Sequence, residues 1–136
     1  MIADASAAAR AAAVAAAFGF VLVGGFQVAL ALGAPWGRAA WGGTHDRLTS
    51  GLRIASVFAA AFWIAAALVI LVVVGYEPIP LHFTVAAWVS WVLFGILALG
   101  ALMNLASKSR WERFLMSPVA LVLSLLCLVV ALDGGS

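Results

Sequence analysis

The chain has 136 residues, 67% of them hydrophobic and 9% charged, with a mean hydropathy of +1.22. Soluble globular domains carry roughly 45–50% apolar and about 25% charged residues, so a water-soluble fold and a disordered chain are both excluded. Seven basic against five acidic residues leave a net charge of +2, too little for a basic nucleic-acid-binding module, and one cysteine excludes a disulfide framework or a multi-cysteine metal site.

Four apolar stretches follow one another, at residues 11–32, 54–74, 81–103 and 110–132. Each approaches the roughly 20 residues that cross about 30 Å of hydrocarbon at 1.5 Å per residue. Backbone polar groups in hydrocarbon must be paired within their own segment, which makes these stretches helices. No alternation of the kind a membrane β-barrel needs is present. The fourth stretch begins at Ser109-Arg110-Trp111-Glu112, a hydroxyl residue followed three positions later by Glu, the spacing of a capping box. Pro118 lacks a backbone N–H, so a bend is expected there. Ala29-Leu30-Ala31 resembles a signal cleavage triplet, but the apolar run before it exceeds the usual length of about 7–15 residues and Asp4 stands near its start. The first stretch is therefore read as a span. The expected architecture is an all-α, polytopic four-helix bundle of two hairpins, a single domain over residues 1–136. A faint echo between Phe20-Val21-Leu22-Val23-Gly24 and Trp91-Val92-Leu93-Phe94-Gly95 hints that one hairpin duplicates the other.

The connections differ in character. The first, 33–53, is rich in glycine and tryptophan. The second, Gly75-Tyr76-Glu77-Pro78-Ile79-Pro80, is tight: Gly75 can close a helix and the prolines cannot continue one. The third, 104–113, carries Lys108, Arg110 and Arg113, and the first carries Arg38, Arg47 and Arg53. With four spans these two loops share one side, and Arg10 is the lone basic residue on the other. Basic residues in short loops stay cytoplasmic, so loops 33–53 and 104–113 are expected inside a cell membrane and both termini outside. Tryptophans and Tyr76 near span ends fit interfacial anchoring.

The central part of every predicted span lacks Asp, Glu, Lys and Arg, which argues against a proton-coupled transporter. Gln27 is the strongest polar group at depth. It shares a helical face with the small residues Ala13, Ala17, Gly24 and Ala31, and it reads either as an interhelical hydrogen bond or as a ligand-binding amide. His82 opens the third span without a second histidine at its depth, Cys127 lies in apolar surroundings, and no nucleophile–base pair can be assembled. Ser90 and Ser124 are expected to bond back to the preceding turn. Alanine triplets 59–61 and 65–67 make the second helix thin, suited to a central place in the bundle.

The basic loops also carry Trp36, Trp41, His45 and Trp111. Such a face attracts anionic headgroups at about 1 kcal/mol per Lys or Arg, and its glycines allow a backbone phosphate cradle, although no P-loop ending is present. Phe26-Gln27, Leu32-Gly33-Ala34-Pro35-Trp36-Gly37, Ala40-Trp41-Gly42-Gly43 and Leu52-Arg53 form one half of a pattern. Asn104, Ser107-Lys108-Ser109, Glu112-Arg113 and Met116-Ser117-Pro118-Val119 form the other. Together they resemble a class of small bacterial four-span integral membrane proteins of unassigned function. The likeness covers nearly the whole of residues 26–130 and implies topology but no activity. It directs attention to the loops, with Gln27 and Asn104 completing a site at the helix ends. The candidate lipid- or partner-binding face is Gln27, Trp36, Arg38, Trp41, Arg47, Arg53, Asn104, Lys108, Arg110, Glu112 and Arg113. The expected role is a non-catalytic accessory or scaffold subunit, without cofactor, that binds anionic membrane lipid, a membrane-protein partner or further copies of itself. A small homo-oligomeric transporter or channel is the alternative, and an enzyme acting on a lipid-linked phosphate is the third.

Overall fold

The computed structural model describes residues 1–79 and 84–134, all helical or irregular, with no strand among them. Helix α1 spans Ala7–Ala31, α2 spans Ser50–Val73 and α3 spans Val89–Leu105. A π-helical turn, Glu112–Met116, leads without a break into α4, Ser117–Gly134. Three of these are long and apolar enough to cross a membrane: α1 with 25 residues, α2 with 24, and the π turn plus α4 with 23. The third helix has only 17 residues, about 25 Å at the α-helical rise.

Local chemistry sets the helix ends. Ser6 Oγ accepts from the Ala9 N–H at 3.0 Å, and Thr49 Oγ1 accepts from the Leu52 N–H at 3.4 Å, each taking one of the N–H groups that a first turn leaves unpaired. Both long helices therefore begin about one turn before the apolar run does. At their C-terminal ends, Gly33 (φ 98°) and Gly75 (φ 93°) hold the left-handed position of Schellman turns. Ala34 N–H reaches Ala29 C=O and Tyr76 N–H reaches Leu71 C=O, both at 3.0 Å. The role expected of Gly75 is the one it has.

The third helix starts later than the expected 81; His82 and its neighbours at 81 and 83 lie outside the described residues. Residues 84–88 are irregular or turn-forming, and the first N–H groups of α3 bond three residues back, Val89 to Ala86 and Ser90 to Ala87. Val85 C=O is taken by the amino terminus of the chain, which holds this segment out of the helix.

Helix α1 packs along α2, α3 along α4, and the two hairpins meet through α1 against α4, while α2 and α3 touch little. The central helices are thus α1 and α4, and the expected central place of α2 is corrected. Ala61 and Ala65 of α2 point outward, whereas α1 buries Ala9, Ala12, Ala13, Ala16 and Ala17. The helix whose small side chains form a continuous inner strip is the one that two partners can approach. A Cβ on Gly19 would lie 2.4 Å from Leu123 Cδ2, and one on Gly24 would lie 3.0 Å from Ile64 Cδ1, so α1 meets α4 and α2 at glycines.

Serine hydrogen bonds join the second hairpin. Ser117 Oγ donates to Ala101 C=O at 2.8 Å, and Ser124 Oγ donates to Phe94 C=O at 3.3 Å. Seven residues on α4 match seven on the antiparallel α3, so both bonds share one register. The back-bonding expected of Ser124 is replaced by this interhelical bond, while Ser90 does bond back, to Ala87 C=O at 2.6 Å. Trp63 sits mid-way along α2, stacked on Phe20 with ring centroids 5.5 Å apart.

Candidate functional site

The segment between α1 and α2 folds as two 3-10 turns, Gly37–Ala39 and Trp41–Gly43, against the start of the π turn. Gly37 N–H donates to Asp46 C=O at 2.7 Å, and a Cβ on Gly37 would stand 2.2 Å from His45 O. Only glycine allows that approach. Gly43 (φ 71°) lies equally close to the other loop, where an added Cβ would be 2.4 Å from Ser109 Cβ.

Side chains of the third connection close the clasp. Ser109 Oγ donates to Arg38 C=O. Glu112, 6% exposed, accepts from Gly42 N–H through Oε2 at 3.3 Å and from Ser107 Oγ through Oε1 at 2.6 Å. Half of the expected capping box is present, since Glu112 N–H reaches Ser109 Oγ at 3.5 Å. The reciprocal half is rerouted: Ser109 N–H goes to Ser107 Oγ at 3.1 Å, leaving the Glu112 carboxylate to hold the distant loop. Ser117 N–H bonds to Glu112 C=O five residues back, the π pattern, immediately before Pro118. The extra residue in that turn comes directly before the proline, and α4 continues from it without a break.

The six basic residues of this end divide into two groups. Arg38 pairs with Asp46 at 2.7 Å and also donates to Gly43 C=O at 3.1 Å. Arg53 Nε caps α1 at Ala31 C=O, 2.7 Å away, and Arg113 grips Ser107 C=O at 3.0 and 3.2 Å near the end of α3. Arg47, Lys108 and Arg110 are exposed and make no hydrogen bond or ion pair among the described residues. Lys108 and Arg110 border a groove of about 640 Å³ with Arg38, the Gly42–Gly43 backbone and Trp111. A second groove, about 460 Å³, lies on the other side of Arg38 and Trp111 and contains Trp36 and Phe26.

Beneath the clasp, a partly open cavity of about 250 Å³ lies between the helices. Gln27, Trp41, Asn104 and Glu112, four of the residues singled out in the sequence, all line it, although they come from α1, both loops and the end of α3. Gln27 is 9% exposed and its Oε1 has no hydrogen-bond partner among the described residues. Trp41 holds a left-handed backbone (φ 52°), an unfavourable conformation for a bulky residue, and its indole N–H donates to Ser56 Oγ at 3.0 Å. Trp63, which lines the cavity, and Ser56, which holds the Trp41 indole, are residues that sequence reasoning missed. Trp63 carried a signal, being a tryptophan mid-way along a predicted span. Ser56 carried none.

Compared with family models, with characterised proteins and with solved structures, the chain matches nothing. What fold and site define is a class: an all-helical bundle of membrane-spanning character, closed at one end by a braced polar cap.

Proposed function

We propose that this chain is a non-catalytic integral membrane protein of the cell membrane, an accessory subunit whose loop face binds anionic lipid headgroups. In this reading it crosses the bilayer four times, with 33–53 and 104–113 in the cytoplasm and both termini outside. The division of the cations carries the proposal: three arginines brace the loops, and Arg47, Lys108 and Arg110 remain exposed on that braced support. A cation already bonded to the fold has little left for a ligand. One left unpaired on the loop can meet a phosphate without breaking a bond it already makes.

Native mass spectrometry of protein extracted gently from its own membrane tests this. At about 1 kcal/mol per cation, replacing Arg47, Lys108 and Arg110 together by Gln is expected to weaken retention of anionic lipid about 100-fold. The helical content should stay unchanged. Equal anionic lipid on both proteins overturns the reading. Topology is read separately: an impermeant maleimide added outside intact cells should label Asp4→Cys and spare Lys108→Cys.

A further inference from the structure

The cavity beneath the clasp differs from the groove bordered by Lys108 and Arg110 in the sign of what it offers. Its polar lining is a carboxylate and two primary amides, groups that can accept from a cation. Gln27 Oε1 is buried and unpartnered, Asn104 makes no side-chain hydrogen bond among the described residues, and Glu112 brings a carboxylate. That carboxylate touches only neutral donors, Gly42 N–H and Ser107 O–H, and the ion pair among the described residues joins Arg38 to Asp46 instead. A buried acceptor without a donor is costly, and here the Gln27 side chain that carries it lines the same cavity as Glu112. The indoles of Trp41 and Trp63 supply the rest of the polarisable wall, and aromatic faces attract cations. At about 250 Å³ the cavity far exceeds the ~10–15 Å³ that one water needs. Strain adds to the argument, because Trp41 is held in a left-handed conformation by the same loop that closes the cavity.

We propose that this cavity binds a primary ammonium group, with Gln27 Oε1 accepting one of its N–H bonds and the Glu112 carboxylate neutralising its charge. Primary rather than quaternary ammonium follows from Gln27, since a trimethylated nitrogen has no proton to offer an amide oxygen. The group arrives either on a small free amine or on the headgroup of an aminophospholipid. Trp63 and Ile96 line the cavity from α2 and α3, the helices that touch little, so the seam between them is the route open to a lipid. The site is separate from the anionic-lipid face and does not depend on it.

The test uses the full chain in detergent and in nanodiscs. Ethanolamine and choline are titrated by calorimetry, and phosphatidylethanolamine and phosphatidylcholine are compared by native mass spectrometry. Binding of the ethanolamine member of either pair at least tenfold more tightly than its choline counterpart is expected, and the pair that discriminates identifies the source. Gln27→Leu should reduce that binding at least tenfold and leave the unliganded protein as stable as before or more so, because it removes a buried acceptor with no partner. Glu112→Gln should abolish the preference for a cation, and Gln27→Leu keeps the test intact if that variant fails to fold. Arg47→Gln, Lys108→Gln and Arg110→Gln together should leave ethanolamine binding unchanged, which separates this site from the lipid face. Equal binding of ethanolamine and choline compounds overturns the proposal. So does a Gln27→Leu protein that is destabilised yet binds as before, because Gln27 is then a packing residue.

Discussion

The two ends of the bundle are closed by different kinds of bond. At the terminal end the partners are mostly main-chain groups: Ile2 N–H meets Val73 C=O at 2.8 Å, the amino terminus meets Val85 C=O, and Ser6 N–H meets Asp133 Oδ2 at 3.1 Å. Arg10, the lone basic residue there, lies over the Tyr76 ring. At the loop end the closing bonds need particular side chains at particular places, with Glu112 holding Gly42 across 70 residues and Ser109 holding Arg38 across 71. Nearly any sequence supplies a main-chain carbonyl, but few supply a carboxylate, two serines and two glycines that meet. The loop end is therefore the part of the fold least tolerant of substitution, and it is also the end that leaves cations and acceptors over for other molecules.

Substitutions measure that contrast. The largest effect is expected at Gly37→Ala, whose Cβ would meet main-chain carbonyls at 2.2 and 2.8 Å: a loss of about 3 kcal/mol in a denaturant titration in detergent. Gly25→Ala, with open space around its Cβ, should be neutral or slightly stabilising in the same assay. Glu112→Ala leaves Gly42 N–H and Ser107 without an acceptor and should cost about 2 kcal/mol, with faster hydrogen exchange at Gly42 as its local signature. Trp41→Phe removes the donor to Ser56, and a loss of about 1 kcal/mol in thermal unfolding is expected. A smaller loss is expected of Ser124→Ala, at about 0.6 kcal/mol. A terminal-end variant as damaging as Gly37→Ala would remove the distinction between the two ends.

Much of this was legible beforehand because lipid permits so few backbone solutions. Long apolar runs had to be helices, and Ser109 and Gly75 marked boundaries through bonds made within a few residues. The gathering of Gln27, Trp41, Asn104 and Glu112 was partly legible through the pattern shared by the two loops. Their enclosure of one cavity was not. Neither was the choice between two uses of Ser124, a back-bond within α4 or a bond to α3, since both are open to a serine on any helix and the position of the neighbour decides.

By itself the sequence determined the class: a chain with 67% hydrophobic residues, its charges confined to loops and helix ends, can only be a helical bundle suited to lipid. Tertiary structure alone decided that α1 rather than α2 is central, that three arginines serve the fold while three cations stay unpaired among the described residues, and that a carboxylate and a primary amide line one cavity. The physical reason is the range of the interactions. Hydrophobic length and helix caps are properties of consecutive residues, whereas a polar group becomes paired or orphaned only when chain 70 residues away is brought against it, as Glu112 is against Gly42.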